Sequence, residues 1–253
     1  MQISRRAGLM MLAASLAVVP TVSGAADAAR PALVIAYRSA PANWLALRKA
    51  LRSDALPRFR ALQKAGVLTA FDLFFSRGVD DQSWNAMAIL DFNGAQGEAR
   101  WYEDSRQTPA GLTPQELALS TAIQSTPVDL VRDGAGGQTP VNPVFLVIPY
   151  KYLVSDTAYR EYLDGYTVPQ LKGWIEAGIL ARYSIVQDRF PAGRPWNAML
   201  LLEYRSDAAL AARDAVKARV RAKLAHDPAW QAISTNKAHI RDELSLTVAE
   251  TVQ

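Results

Sequence analysis

The sequence predicts an α+β fold made of two tandem β-α-β-β-α-β units whose sheets pack face to face. Three observations predict it: an internal repeat, a glycine-rich seam between the copies, and short apolar runs alternating with helical periodicity inside each copy. Trp84-Asn85-Ala86-Met87 recurs as Trp196-Asn197-Ala198-Met199, an offset of 112 residues. The same offset places Pro31 on Pro143, Arg48 on Arg160, Leu51 on Leu163, Pro57 on Pro169, Ala65-Gly66 on Ala177-Gly178, Leu68 on Leu180 and Arg77 on Arg189. Differences between the copies are mostly conservative, as in Phe71 and Tyr183, Asp91 and Glu203, Phe92 and Tyr204. A lone tetrapeptide would be weak evidence; an ungapped register over residues 31–92 is a duplication. The seam is Gly134-Ala135-Gly136-Gly137-Gln138-Thr139-Pro140, a linker composition. The expected organisation is an export signal over 1–28, a first unit over 29–133, a linker over 134–142 and a second unit over 143–253.

Each unit opens with a short apolar run fit for a buried strand, Leu33–Tyr37 and Phe145–Ile148. A helix follows, with apolar positions three and four apart: Trp44, Leu47, Leu51, Ala55, Phe59 and Leu62, matched by Tyr159, Leu163, Leu171 and Trp174. Pro57 and Pro169 are expected to kink it, because proline lacks the backbone donor and crowds the preceding turn. Gly66 and Gly178 supply its stop. The second strand is Val67–Ser76, matched by Ile179–Gln187. A polar hairpin leads to the third, Trp84–Phe92, matched by Trp196–Tyr204. Helical segments are expected over Pro114–Ser125, over Asp207–Ala225 with a break at Asp227-Pro228, and over Ala229–Ala238. Last strands are expected near Val128–Arg132 and Leu244–Ala249.

The first thirty residues read as an address. Arg5-Arg6, the uncharged apolar run Ala7–Val19, Pro20 and the small residues Ser23–Ala28 follow the order of a secretory signal peptide. The run is shorter than the roughly 20 residues of a bilayer span, so no stable membrane insertion is expected after cleavage. Ser4-Arg5-Arg6 partly matches a twin-arginine signal, but Gly8 and Met10 stand where that signal carries an aromatic and a lysine. The segment therefore reads more as a general secretory signal, and the expected destination is periplasmic or secreted. Cleavage would remove Arg5 and Arg6, leaving 26 of the 28 basic residues against 24 acidic ones. Basic and acidic residues are interspersed, and no basic stripe of the kind nucleic acid requires is present. The 253 residues include no cysteine and two histidines, His226 and His239. Disulfides, thiolate nucleophiles and a three-histidine metal site are thereby excluded.

The order βαββαβ is the ferredoxin-like arrangement, with helices on one face of the sheet. The other face is apolar here and must be buried, for which the second copy is the nearest partner. In its details the chain resembles the dimeric α+β barrel superfamily. The resemblance is carried by Leu56-Pro57…Ala65-Gly66-Val67-Leu68 and its copy Val168-Pro169…Ala177-Gly178-Ile179-Leu180, by the hairpin into Trp-Asn-Ala-Met, and by Asp227-Pro228-Ala229-Trp230. It implies an intramolecular barrel, a monomer acting as an internal pseudo-dimer or a homodimer of such chains. For activity it implies little, since the superfamily includes small monooxygenases, haem enzymes and proteins of no known activity. Some members carry a histidine shortly before the helix proline; Asp54-Ala55-Leu56-Pro57 and Tyr166-Thr167-Val168-Pro169 have none. Haem enzymes of this fold use a histidine late in one unit, which only His226 or His239 would provide.

The expected function is therefore an exported small-molecule-binding protein, with its ligand between the repeats and without metal or cofactor. The alternative is an oxidoreductase of the same superfamily, either cofactor-free and monooxygenase-like or haem-dependent through His226 or His239. No phosphate loop, nucleophile elbow or zinc-protease motif is present, and no catalytic pair is evident. Candidate ligand-binding residues are Trp84 and Trp196 as stacking walls, Asn85 and Asn197 as hydrogen-bonding groups, and Arg77 and Arg189 as an anion clamp. Each has a structural alternative: core packing for the tryptophans, hairpin bracing for the asparagines, a solvated strand end for the arginines. Asn85, Met87, Ile89 and Asp91 alternate with Trp84, Ala86, Ala88, Leu90 and Phe92 along the third strand. The asparagine–methionine side is expected to face the barrel, with the tryptophan side turned to the helices.

Overall fold

The structure, a computed structural model, describes residues 30–80, 83–137 and 139–252. The expected export signal lies outside these residues, as does Gln138 of the linker. The first unit contains β1 (Arg30–Arg38), α1 (Trp44–Ala50), α2 (Leu56–Lys64), β2 (Leu68–Ser76), β3 (Ala86–Phe92), α3 (Gly94–Asp104), α4 (Pro114–Leu117) and β4 (Ala122–Ala135). The second contains β5 (Val144–Tyr152), α5 (Asp156–Tyr162), α6 (Val168–Glu176), β6 (Leu180–Asp188), β7 (Ala198–Tyr204), α7 (Asp207–Ala211), α8 (Arg213–Leu224), α9 (Pro228–Asn236), β8 (Arg241–Glu243) and β9 (Thr247–Thr251). Among the described residues no helix is long and apolar enough to cross a membrane.

The strands close into an eight-stranded antiparallel barrel in the order β7-β6-β4-β1-β3-β2-β9-β5, with β5 pairing back to β7 and β8 extending the β5 edge. Closure comes from the last strand of each unit. β4 pairs with β1 of its own unit and with β6 of the other, and β9 pairs with β5 of its own unit and with β2 of the other. Every edge that a lone four-stranded sheet would expose is thus covered. The fold is that of the dimeric α+β barrels, with both halves on one chain.

Period-two alternation divides the strands between two environments. Ala32, Val34, Met87, Ile89, Val128, Val147, Val186, Met199 and Leu201 fill the barrel interior. Leu33, Ile35, Tyr37, Ala86, Ala88 and Leu90 pack under the helices of the first unit. The corresponding layer of the second unit holds a column of stacked rings, Tyr152–Tyr159–Tyr162–Tyr166–Trp230, with centroids 4.4, 5.8, 5.3 and 5.0 Å apart. Met87 faces the barrel, as the alternation predicts.

The kink appears in both copies as one widened π turn, Leu51–Ala55 and Leu163–Thr167, immediately before the segments that carry Pro57 and Pro169. The extra residue in each turn accommodates a ring that has no N–H to donate. Gly66 and Gly178 end the helices with φ of 72° and 77°, a backbone that a side chain resists.

Several element boundaries differ from the sequence reading. α4 is a single turn, capped by the Thr113–Glu116 box, and residues from Ala122 onward are strand rather than helix. The demand for a strand long enough to join two units overrides local propensity. β4 continues through Gly134 and Ala135, which pair with Tyr183 and Arg182, so these two residues are sheet rather than linker. α3 lies between β3 and the expected late helix and was not foreseen. The helix expected over Asp207–Ala225 is two helices meeting at Ala212. The expected strand Leu244–Ala249 is interrupted at 244–246, between β8 and β9.

The repeat register also changes at one point. Helices and strands from α2 to β3 obey the offset of 112, but β1 and β5 do not. Val34 lies opposite Ile89, whereas Val147 lies opposite Leu201. Tyr37, Arg38 and Ser39 therefore correspond to Tyr150, Lys151 and Tyr152. A slip of one residue exchanges the faces of a strand, so this shift decides which side chains of β1 and β5 enter the barrel.

Candidate functional site

A cavity of about 530 Å³ occupies the hairpin end of the barrel, inside the range of small-molecule sites. Trp84, Met87, Trp196 and Met199 form matched pairs in its wall, and Val34, Ala36, Pro149, Pro195, Leu244 and Leu246 add apolar surface. Polar groups come from Arg38, Asp80, Ser83, Gln124, Thr126, Ser245 and Thr247. The other end of the barrel is closed by charge. Arg182 makes a bidentate pair with Asp72 of the first unit and a further pair with Glu203, and lies over the Phe145 ring. Burial, reinforced by the nearby Asp72 carboxylate, raises the Asp91 pKa to about 6.

The duplicated Trp-Asn pairs precede the strands instead of opening them, since β3 starts at Ala86 and β7 at Ala198. Strict alternation therefore does not govern them, and the expectation that the asparagine side faces the barrel holds from Met87 and Met199 onward but is reversed at the Trp-Asn pairs. Both tryptophans are half-buried and turn to the cavity. Both asparagines are buried and bond to the backbone of the first strand of their unit. Asn85 Oδ1 accepts from Ser39 N at 2.6 Å, and its Nδ2 donates to the Asp80 carbonyl at 3.2 Å. Asn197 Oδ1 accepts from Tyr152 N at 2.8 Å, and its Nδ2 donates to the Tyr152 carbonyl at 3.3 Å. Each amide thus ties the start of the third strand to the end of the first. Neither asparagine is part of the cavity wall described above.

Arg77 and Arg189 hold equivalent positions across the seam. Arg77 of the first unit pairs with Asp207 and Glu250 of the second. Arg189 of the second unit pairs with Glu98, at 2.7 and 3.1 Å, and with Asp129 of the first. Their backbone amides repeat the pattern, donating to the carbonyls of Val248 and Pro127. Both guanidiniums are held by carboxylates of the opposite unit.

The described residues do not fit haem. His226 follows α8 and His239 precedes β8; both are exposed and neither lines the cavity. Under the helices of the second unit, the ring column leaves a void of only about 10 Å³. No group of three or more metal-ligating side chains occurs among the described residues.

Sequence reasoning did not single out Arg38, Gln124 or Thr126. The alternation Val34, Ala36, Arg38 carried a signal for the first, but its face is fixed only by the register of β1.

No protein-family model matches the sequence, and no curated protein matches it significantly. Solved structures match the fold. A proposed monooxygenase from Fusobacterium nucleatum aligns with a TM-score of 0.56 and 12% identity, over 89% of this chain and 94% of that one. A proposed monooxygenase from Lactobacillus acidophilus aligns with a TM-score of 0.51 and 11% identity, over 88% and 95%. A chlorite dismutase from Candidatus Nitrospira defluvii aligns with a TM-score of 0.50 and 10% identity, over 87% and 90%. At these identities the likeness is one of fold.

Proposed function

We propose that the chain is an exported small-molecule-binding protein whose ligand lies in the barrel cavity between Trp84 and Trp196. The observation that carries the reading is the cavity itself: about 530 Å³, with the repeat's Trp and Met pairs in its wall. Half-buried indoles on both sides offer flat apolar faces, and the thioethers of Met87 and Met199 adapt to irregular shapes. Asn85 and Asn197 act as struts that hold Trp84 and Trp196 in place, and Arg77 and Arg189 as bolts across the seam. The order of basic pair, apolar run and small residues at 1–28 supports export.

Mass spectrometry of the purified full chain under native conditions, then after denaturation, tests this. The expected result is a co-purifying compound below ~500 Da, or tryptophan quenching by an added aromatic probe such as naphthalene-2-acetamide. Affinity for the probe, read by isothermal titration, should weaken about tenfold or more in a Trp84→Ala, Trp196→Ala double variant. Absence of any bound compound, together with no saturable binding of aromatic probes, would refute the reading. Conversion of a bound compound under dioxygen would favour the oxidoreductase alternative.

A further inference from the structure

The cavity departs from the two-fold symmetry of its tryptophan and methionine pairs. β1 and β4 supply a polar wall: Arg38 and Gln124 lie diagonally across the strand pair, and Thr126 lies opposite Val34. The strand equivalent to β4 is interrupted where it passes the cavity, and Leu244 and Leu246 stand there at 46% and 52% exposure. A site with one polar and one apolar wall suits a ligand with one polar and one apolar end.

The polar wall has a sign. Arg38 has no ion pair and no side-chain hydrogen bond among the described residues, and its unit-two counterpart Lys151 is engaged, donating to the Arg194 carbonyl at 3.2 Å. Asp80, the one carboxylate among the lining residues, is not free of interactions within the protein, and its backbone carbonyl accepts from the Asn85 amide. Thr126 is 1% exposed, and no hydrogen bond within the protein engages its hydroxyl among the described residues. Thr126 lines the cavity, where its hydroxyl can bond what enters. A carboxylate accepts from a guanidinium, an amide N–H and a hydroxyl alike, and the planar guanidinium matches it in bidentate geometry.

Resting on the cavity-binding reading above, we propose that the ligand is an amphipathic carboxylate. Its acid group meets Arg38, Gln124 and Thr126, and its apolar body lies between Trp84 and Trp196 toward Leu244 and Leu246.

Three near-isosteric probes test this on the full chain by isothermal titration: naphthalene-2-acetate, its neutral amide and 2-(naphthalen-2-yl)ethylamine. The acid should bind about tenfold more tightly than the amide, equivalent to about 1.4 kcal/mol, and the amine most weakly. Arg38→Gln should remove the preference for the acid while leaving the amide's Kd within about twofold, and Arg38→Lys should restore part of it. Lys151→Gln should leave the preference intact. Arg38 is exposed, so its substitution leaves the folded core alone. Equal affinity for acid and amide overturns the proposal and leaves the binding reading standing. Tightest binding by the amine overturns it in favour of Asp80. Failure of all three probes overturns both readings.

Discussion

Asp91 faces the charged end of the barrel, and its ionisation opposes folding. Burial and the neighbouring Asp72 carboxylate raise its pKa to about 6, from 3.8 in an unfolded chain. A folded-state pKa raised in an acid means that the native state holds the proton more tightly than the unfolded state does. The penalty is therefore full above pH 6, diminishes as pH falls through 6, and vanishes below 3.8. A difference of about two units corresponds to about 3 kcal/mol at pH 8, of which about 1 kcal/mol remains at pH 4.5. Asp91→Asn removes the ionisation and keeps the shape. It should be more stable than the parent chain by up to about 3 kcal/mol at pH 8, with an advantage of about 1 kcal/mol at pH 4.5. Urea unfolding of both proteins at pH 4.5, 6 and 8 reads this directly, and taking the difference cancels every other titrating group. An advantage that stays constant with pH, or a less stable Asn variant at pH 8, would refute the argument.

Arg182→Met removes the one cation paired with Asp72 and Glu203 among the described residues, and, with the Arg182 side chain 36% exposed, should cost about 1–3 kcal/mol at pH 7; denaturant midpoints check it, and combining it with Asp72→Asn should recover part of the loss. Asn197→Leu orphans the buried N–H and C=O of Tyr152 and should cost about 2–4 kcal/mol. Probe affinity, measured by titration at low temperature, should weaken only together with stability, because the amide acts through the placement of Trp196; weakened binding with unchanged stability would instead make Asn197 a ligand group. A fragment of residues 31–133 leaves β2 and β4 as open edges beside an apolar face. It should aggregate or self-dimerise in sedimentation, and a well-behaved monomer would contradict the closure described here.

Much of this architecture was legible because duplication writes the constraints twice. Pro57 and Pro169 announced the widened turn, Gly66 and Gly178 the helix stops, and the Met87–Ile89 alternation the inward face. What stayed hidden depends on partners distant in sequence. Nothing local shows that Ala122–Ala135 must be one long strand, because that length is set by the need to pair with both β1 and β6. Nor does local sequence show what occupies Arg77 and Arg189, since their carboxylates lie on the opposite unit, 130 and 91 residues away. Trp84 and Asn85 looked like adjacent strand residues with opposite faces. Because they precede β3, the indole turns to the cavity while the amide is taken up by the end of β1.

The second copy has one residue fewer than the first between its first strand and its helix, so β1 and β5 correspond at an offset of 113 while the helices keep 112. Had the offset of 112 held throughout, Leu146 and Ile148 would occupy the barrel positions of Val34 and Ala36. Instead Phe145, Val147 and Pro149 face inward, while Leu146, Ile148 and Tyr150 join the core of the second unit. Where Ala36 leaves room in the first unit, Pro149 lends the cavity a rigid apolar surface without a donor. At that offset the inward residues of the two strands correspond, Val34 with Val147 and Ala36 with Pro149, and the difference of one residue is taken up between strand and helix. Asymmetry between the polar wall of β1–β4 and the apolar wall opposite thus comes from exchanged side chains, such as Ala36 against Pro149, and from the break between β8 and β9 that places Leu244 and Leu246 where β4 is continuous. A duplicated barrel can in this way come to distinguish the two ends of a molecule, as a symmetric pair of identical units could not.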